Sequence, residues 1–424
     1  MRDSDASLAN DLGPPTVHSN TIYEVLGREP VHPFPARMAP GIALDVLGQG
    51  GKPIRVLDPM MGSGTVLALA RAQGHRAVGV DIDPLAVLIT RVWTTAIRPH
   101  EVKDTAAAVL AEAHTLFPRI RARDAYPLGA DEETRAFVRF WFDAYSRRQL
   151  AALSQAVHKL RVVPLQEALW CAFSRLIITK QSGASLAMDL SHSRPHKVFT
   201  AAPIKPFNKF LAAVNRVADN CLDTRQTRRG PPVSAHEGDA RALPLLDDSV
   251  DLVLTSPPYL NAIDYMRCSK FSLVWMGHTV SVLRRLRSQS VGAEAGSGFP
   301  SSKLTNGVIA RLRLSPTLAA RDQRILTRYV GDMTAAVHEV YRVLVKGGKA
   351  VYVVGENTVR GTYIPNSRLV SEVAKVCGLH FIDSKIRELP PNRRYLPPPT
   401  DNVDSAALDA RMRREVVLSF EKRA

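Results

Sequence analysis

The sequence predicts an α/β protein built on a mostly parallel sheet. Strand-like apolar runs alternate with helical stretches along the 424 residues, a pattern typical of strands joined by helical crossovers. The clearest unit spans residues 55–84: a β-branched run, a Gly-rich turn, a helix from about Thr65 to Ala72, and a second apolar run that ends at Asp81. Because ligands of such sheets bind beyond the carboxyl ends of the strands, we expect a site there.

Two parts of the chain lack strand-like alternation. Residues 1–30 contain scattered polar residues and "GPP", which predicts a flexible N-terminal arm. Residues 100–232 follow a helical period, for example in "AALSQAVHKLRVV", and this indicates a helical region inserted into the α/β unit.

The second half of the chain returns to strand patterns in "SAHEGDA" and "SVDLVLTS". Residues 284–325 are rich in Arg, Ser and Gly, which predicts a basic loop. The helical pattern "DMTAAVHEVYRVLVKGG", for which Gly347–Gly348 is the predicted stop, precedes the strand "KAVYVVGE". The last two apolar runs, "HFIDSKIREL" and "EVVLSF", can pair as an antiparallel edge.

Composition narrows the possible partners. Lys and Arg number 56 against 40 Asp and Glu, and the net charge of +16 predicts a polyanionic partner, with nucleic acid as the first candidate and ordinary surface charge as the alternative. The four cysteines are too widely spaced for a zinc site or a disulfide framework, which favours a reducing cytoplasm. The polar, acidic N-terminus and the lack of a long apolar run predict no export and no membrane partner.

The Gly-rich turn indicates a cofactor site. Asp58 ends a strand, Gly62 and Gly64 permit a tight turn, and Thr65 opens the helix. About twenty residues later, Asp81 ends the next strand, where a carboxylate can accept hydrogen bonds from ribose hydroxyls. Since the turn has neither a phosphate-binding lysine nor a full dinucleotide fingerprint, a cofactor with a ribose and no phosphates fits best, and a purely structural turn is the alternative.

Four segments together carry a family resemblance. In order they are "VLDPMMGSGT", "VGVDIDP", "EGDARALP" and "DLVLTSPPY", and this series resembles that of S-adenosylmethionine-dependent amino-methyltransferases that act on DNA. The resemblance implies a Rossmann-like, mostly parallel seven-stranded sheet with an antiparallel edge hairpin. It divides the chain into a cofactor-binding half at 31–99, a catalytic half at 233–283 and a C-terminal part of the sheet at 326–424. The helical region at 100–232 is the candidate target-recognition region, and the basic loop at 284–325 and the segment "PPNRRYLPPP" also qualify.

The resemblance also implies S-adenosylmethionine as the cofactor. Its Gly-rich loop would wrap the methionine part, Asp81 would hold the ribose, and Asp239 would lie by the adenine, with Asp83 as a second candidate for that edge. The upstream segment "HPFPARMAP" resembles the one that closes over the methionine end, although Phe34 can equally belong to the core. The implied cofactor-binding residues are Phe34, Pro35, Asp58, Pro59, Gly62, Gly64, Thr65, Asp81, Asp83 and Asp239.

The segment "TSPPY" carries the predicted chemistry. An exocyclic amine of a base is a poor nucleophile, so an enzyme must align it and accept its hydrogen bonds. The hydroxyl of Ser256 and the carbonyl of Pro257 are suitable acceptors, and the Pro257–Pro258 pair fixes the backbone and removes competing N–H donors. Tyr259 offers a ring on which a base swung out of the duplex can stack. The alternative is a structural turn after a strand.

The remaining motifs concern metal and DNA. The close pair His192 and His196 has no thiol or carboxylate at ligand spacing, so no metal is predicted. No cysteine follows a proline, which argues against attack on cytosine C5. The basic motifs instead predict phosphate contacts with double-stranded DNA, from Arg194, His196, Lys197, Arg393 and Arg394.

Serine ahead of Pro-Pro-Tyr resembles the cytosine-N4 subgroup of this family, in the unpermuted motif order. Adenine-N6 methylation is the runner-up, and an RNA amino-methyltransferase or an inactive nucleic-acid-binding regulator are further alternatives. The resemblance places the protein in the cytoplasm with the nucleoid, and makes a cognate restriction endonuclease a candidate partner.

Overall fold

Seven strands of the computed structural model form one sheet in the order β3-β2-β1-β4-β5-β9-β8. The structure describes residues 21–34, 38–48, 51–190, 195–222, 230–258, 260, 265–293, 303–312, 320–359, 362–388 and 414–423. The strands of the sheet are β1 (Arg55–Asp58), β2 (Arg76–Asp81), β3 (Val233–Glu237), β4 (Val250–Thr255), β5 (Leu344–Gly355), β8 (His380–Glu388) and β9 (Arg414–Glu421). A separate hairpin is formed by β6 (Asn357–Val359) and β7 (Thr362–Ile364).

The sheet is parallel except at one strand. β1, β2, β3, β4 and β5 pair in parallel, whereas β9 pairs antiparallel with both β5 and β8. The α/β class and the antiparallel pairing of the last two apolar runs are therefore confirmed. β9, the last described strand of the chain, lies inside the sheet between β5 and β8, and β8 forms the edge.

Helices cover both faces of the sheet. Five of them carry proline at their first or second position, where its missing N–H and fixed φ cost nothing. The helices are α1 (Ile22–Leu26), α2 (Pro40–Leu47), α3 (Thr65–Ala72), α4 (Pro84–Thr94), α5 (Pro99–Leu116), α6 (Glu132–Trp141), α7 (Ala144–His158), α8 (Val163–Ile177), α9 (Pro206–Ala218), α10 (Tyr265–Leu273), α11 (Val280–Gln289), α12 (Lys303–Leu312), α13 (Ala320–Val343) and α14 (Asn366–Val376).

Alternation along the strands separates the core into layers. Val56 packs with α2 and α3 on one face, while its neighbour Leu57 packs with α12, α13 and α14 on the other. A third apolar cluster joins α4 through α9 to α10 and α11. Its largest buried rings belong to residues that precede β3 in the sequence and to residues that follow β4: Trp93, Phe142, Phe173, Phe210, Phe271 and Trp275. The helical region and the segment after "TSPPY" therefore share one core.

Three predicted boundaries differ from the structure. The N-terminal arm contains α1 at its end, and residues 1–20 lie outside the described part. The basic loop predicted over 284–325 contains α12, the end of α11 and the start of α13, because apolar residues such as Val308 and Leu312 recur at helical spacing and become buried. Gly347–Gly348 is not a helix stop: α13 ends at Val343, and the glycines lie in a bulge of β5, with Gly347 at φ +75°.

Among the described residues, no helix has the length and apolar character needed to cross a membrane.

Candidate active site

The Gly-rich loop after β1 is held tightly against α4. Gly62 and Gly64 adopt φ values of +50° and +78°, which side chains rarely tolerate. A Cβ at Gly64 would lie 2.6 Å from the side chain of Thr90. The Thr90 hydroxyl in turn donates a hydrogen bond to the carbonyl of Gly62 at 3.1 Å. The spacing of the two glycines thus gives a loop whose backbone is fixed and presented beyond the carboxyl end of β1.

Asp81, at the end of β2, organises the same loop. Its carboxylate accepts hydrogen bonds from the N–H of Gly62 at 2.8 Å and from the N–H of Asp83 at 2.9 Å, one on each oxygen. Removal from bulk water raises the pKa of Asp81, and these N–H groups oppose that effect. A carboxylate has about four lone-pair sites, so Asp81 can also accept hydrogen bonds from a ribose.

Asp83 has a structural role in the fold. It is the N-cap of α4, accepting a hydrogen bond from the N–H of Leu85 at 2.9 Å, and its other oxygen accepts from the hydroxyl of Ser269 at 2.5 Å. Burial raises the pKa of Asp83 to about 7, and the nearby charge of Asp81 adds to this effect. Asp83 therefore links the end of β2 and the start of α4 to α10.

Asp58 connects the Gly-rich loop to the "TSPPY" segment. Its buried carboxylate accepts a hydrogen bond from the hydroxyl of Thr255, the last residue of β4, at 2.7 Å, and from the N–H of Met60 at 3.2 Å. Ser256 follows Thr255 directly and is partly exposed. The carboxyl ends of β1 and β4, which are neighbouring strands, are thereby joined through side chains.

The proline pair of this segment is anchored from the opposite direction. Pro257 is buried, and the carbonyl of Pro258 accepts a hydrogen bond from the hydroxyl of Tyr329 at 2.9 Å. Tyr329 lies on α13 and is fully buried, and this burial raises the pKa of its hydroxyl. Tyr259 lies outside the described residues. The backbone that carries the predicted acceptors is thus held by Asp58 on one side and by Tyr329 on the other.

The loop after β3 reaches the same end of the sheet. The N–H of Gly238 donates a hydrogen bond to the carbonyl of Asp81 at 3.0 Å, which places Asp239 beside the end of β2. Asp239 forms a bidentate pair with Arg241, with Nε–Oδ1 and Nη2–Oδ2 distances of 2.9 and 2.7 Å. Arg241 also reaches Oδ1 of the fully buried Asp332 on α13 at 2.6 Å. Although burial opposes the effect, the two carboxylates raise the pKa of Arg241.

The other predicted cofactor residues surround the loop. The ring of Phe34 lies 3.7 Å from the position of a Cβ on Gly62, so it contacts the loop as well as the helical core. Pro59 and Thr65 are buried, and the Thr65 hydroxyl has no hydrogen-bond partner among the described residues. Pro35 lies outside the described part of the chain.

The predicted DNA contacts are only partly described. His196 and Lys197 are exposed, and the Lys197 ammonium lies 5.2 Å from the ring centroid of Phe140. Arg194, Arg393 and Arg394 lie outside the described residues. Within the part of the chain that the structure describes, no three His, Cys, Asp or Glu side chains are grouped as metal ligands would be.

The buried Asp58 predicts a pH effect on stability. Burial raises its pKa from 3.8 to about 7, so between about pH 4 and about pH 7 the folded state binds more protons than the unfolded state. This group therefore contributes less to stability as the pH rises through that window. Asp58→Asn keeps an acceptor for Thr255 and should stabilise the protein by about 1–3 kcal/mol more at pH 8 than at pH 5.

Urea denaturation at the two pH values measures this difference. Asp251→Asn is the control. Burial alone would raise the pKa of Asp251, but the hydrogen bonds and charge of Arg55 together outweigh burial and lower that pKa, so this variant should show no gain at pH 8. Equal effects of Asp58→Asn at both pH values would contradict the assignment.

The chain is similar in sequence to known methyltransferases. No protein-family model matches the chain. The chain is 25% identical over 390 residues to the Type II methyltransferase M.MvaI of Kocuria varians, a match that covers 85% of this chain and 84% of that protein. It is also 25% identical over 259 residues to the Type II methyltransferase M.BsoBI of Geobacillus stearothermophilus, covering 55% of this chain and 49% of that protein.

One solved structure that resembles the chain is a TehB-like SAM-dependent methyltransferase from Corynebacterium glutamicum. The match covers 91% of this chain and 87% of that one, with 10% identity and a TM-score of 0.28. Because this TM-score is low, the fold is assigned from the strand order of the chain itself and not from the match.

Proposed function

We propose that this chain transfers the methyl group of S-adenosylmethionine to the exocyclic N4 amine of a cytosine in DNA. The observation that carries the proposal is the Asp58–Thr255 hydrogen bond of 2.7 Å, which joins the Gly-rich loop to the segment that holds Ser256. A cofactor loop and a set of amine acceptors thus meet at one end of the sheet. The two relatives support a DNA methyltransferase, since both are named Type II methyltransferases.

The residues around the loop fit S-adenosylmethionine. The glycine backbone can approach a ligand closely, the Thr65 hydroxyl is buried with no partner among the described residues, and Asp81 presents a carboxylate at the end of β2. Gly62 and Gly64 would hold the methionine part against Phe34, Asp81 the ribose, and Asp239 the adenine side. When bound, the cofactor supplies an already activated methyl group, so the chain's own residues need to position and polarise the amine.

Ser256 and the Pro257 carbonyl would accept the hydrogen bonds of that amine. Their oxygens follow the last residue of β4, whose side chain is held by Asp58, and the next carbonyl is held by Tyr329. Such preorganisation lowers the barrier because the acceptors need not reorient during the reaction. The serine ahead of the proline pair supports cytosine N4 as the target atom. Stacking of the target base on Tyr259 remains part of the proposal.

The test is methyl transfer to DNA followed by mass spectrometry of the digested nucleosides. N4-methylcytosine would support the proposal, whereas N6-methyladenine would favour the adenine alternative. The appearance of 5-methylcytosine would refute the mechanism, and methylation of RNA alone would refute the substrate. The family resemblance of the motifs also makes a cognate restriction endonuclease a proposed partner, acting on the same DNA in the cytoplasm.

Asp81→Ala is expected to weaken S-adenosylmethionine binding by about 1–3 kcal/mol, through loss of charge-assisted hydrogen bonds to the ribose. The same change removes the acceptor for Gly62, so Asp81→Asn provides the matched control. The asparagine retains one acceptor for the loop and loses the charge. Calorimetric titration of the folded variants measures the effect, and an unchanged affinity in Asp81→Ala would contradict the role of Asp81.

A further inference from the structure

A groove of about 490 Å³ lies between α6, α10 and α11, outside the residues assigned to the cofactor and the amine. Aromatic side chains of α6 form much of its wall, among them Phe137, Phe140 and Trp141. The rings of Phe137 and Trp141 pack edge-on against the buried Phe271, with centroid separations of 5.2 and 5.0 Å. The wall is therefore backed by the core and does not depend on mobile side chains for its shape.

The lining of this groove is strongly cationic. Four basic side chains line it, against the single carboxylate of Glu133, which is paired with the arginine at 284. The formal charge of the described lining residues is therefore positive, which favours an anionic occupant. The four basic residues are Arg267, Lys270, Arg284 and Arg287.

The groove adjoins the candidate active site through α10. This helix begins at Tyr265, six residues after Tyr259, and Ser269 on it donates the hydrogen bond to Asp83 at the end of β2. Met266 and Lys270, on either side of Ser269 in the sequence, line the groove. One short helix thus contacts the cofactor half of the site and also forms a wall of the groove.

A predicted DNA contact lies at the same groove. The ammonium of Lys197 stacks over Phe140, whose ring is 54% exposed although it belongs to the groove lining. An exposed aromatic ring among cations is the combination that binds nucleic acid, since phosphates pair with the cations and bases stack on the ring. An apolar peptide would not need the cationic rim.

We propose that this groove holds the sugar-phosphate backbone of the DNA strand beside the target base. Arg287 and Lys270 pair with its phosphates, Arg284 exchanges its pair with Glu133 for a phosphate, and Phe140 supports a neighbouring base. The inference rests on the proposed function for the position of the target base, but it assigns DNA contact to a surface formed by α6, α10 and α11. The contacts are to the backbone, so they supply affinity and register more than sequence preference.

The double variant Arg284→Gln/Arg287→Gln of the full chain tests the groove. Fluorescence anisotropy with duplex DNA is measured over a series of salt concentrations. Loss of two phosphate contacts should lower the affinity by about 10-fold and reduce the salt slope by about 2, with S-adenosylmethionine affinity unchanged. The matched control is Arg121→Gln/Arg123→Gln, which removes the same charge from exposed arginines outside the groove lining and should leave the slope nearly unchanged.

The outcomes separate this inference from the proposed function. If the wild-type protein methylates DNA while the groove variant keeps its affinity and salt slope, the groove assignment is wrong and the proposed function stands. If the groove variant loses DNA affinity but the wild-type protein transfers no methyl group, the groove assignment stands and the proposed function is wrong. A preference of the groove for RNA over DNA would overturn the assignment of the partner.

Discussion

Ser256→Ala is expected to slow single-turnover methyl transfer to DNA by about 10²–10³ while leaving a folded protein that binds S-adenosylmethionine. The magnitude follows from losing one preorganised polar group at a transition state. The fold should tolerate the change, because Ser256 is partly exposed and the segment is held by the Asp58–Thr255 and Tyr329–Pro258 hydrogen bonds, neither of which uses the serine side chain. Rapid-quench transfer with labelled cofactor measures the rate.

Tyr329→Phe provides the comparison for this experiment. It removes the donor to the Pro258 carbonyl but keeps the buried ring, so it loosens the segment without removing an acceptor for the amine. We expect a smaller loss of rate together with a loss of about 1 kcal/mol in the free energy of unfolding. A wild-type rate in Ser256→Ala would refute the proposed role of the serine, whatever the result for Tyr329→Phe.

Arg241→Met is expected to lower the free energy of unfolding by about 3–5 kcal/mol, because it leaves a buried carboxylate without its main partner. Asp332 has no exposed surface, and Arg241 is its partner at 2.6 Å, whereas Arg328 lies at 3.7 Å. Asp239 would lose all three of its hydrogen bonds from the guanidinium as well. The variant should therefore disturb the adenine side of the site and the stability of the fold together.

Chemical denaturation measures the loss, with two comparisons. Arg55→Met breaks the half-exposed Arg55–Asp251 pair and should cost only about 0–1 kcal/mol. The double variant Arg241→Met/Asp332→Leu removes the stranded buried charge and should regain much of the stability lost by Arg241→Met alone. A loss below about 1 kcal/mol in the single variant would show that Asp332 is neutral or otherwise compensated in the folded protein.

The fold could be predicted because its signals are local. The run of residues from Arg55 to Asp81 contains strand, turn, helix and strand in one stretch, and the structure has each of them within a residue or two of the predicted bounds. The antiparallel pairing of β8 and β9 was also predicted, from the apolar runs "HFIDSKIREL" and "EVVLSF". The predicted basic loop was wrong at α12, because a composition rich in Arg, Ser and Gly indicated a loop where the structure has an amphipathic helix.

The supporting contacts of the site could not be predicted, because they join residues distant in sequence. Thr255 and Asp58 are 197 positions apart, and Ser269 and Asp83 are 186 apart. The family resemblance implied Asp58 and Asp83 as cofactor-binding residues, which stays a prediction, and the structure adds that both accept hydrogen bonds from other elements of the fold. In the sequence, Tyr329 and Asp332 look like ordinary positions of an amphipathic helix. Their roles become visible only in the structure, where α13 lies over the ends of β3 and β4.

The position of β9 has a consequence for synthesis of the protein on the ribosome. β5 and β8 emerge before β9, yet each pairs with β9 and not with the other. Until residue 421 has left the ribosome, the nascent chain therefore carries an open edge on β5, a strand whose residues Ala350 to Gly355 are buried in the finished fold. Premature termination before β9 would leave that edge available to other chains, so shortened products should aggregate even though every residue assigned to the cofactor and the amine is present.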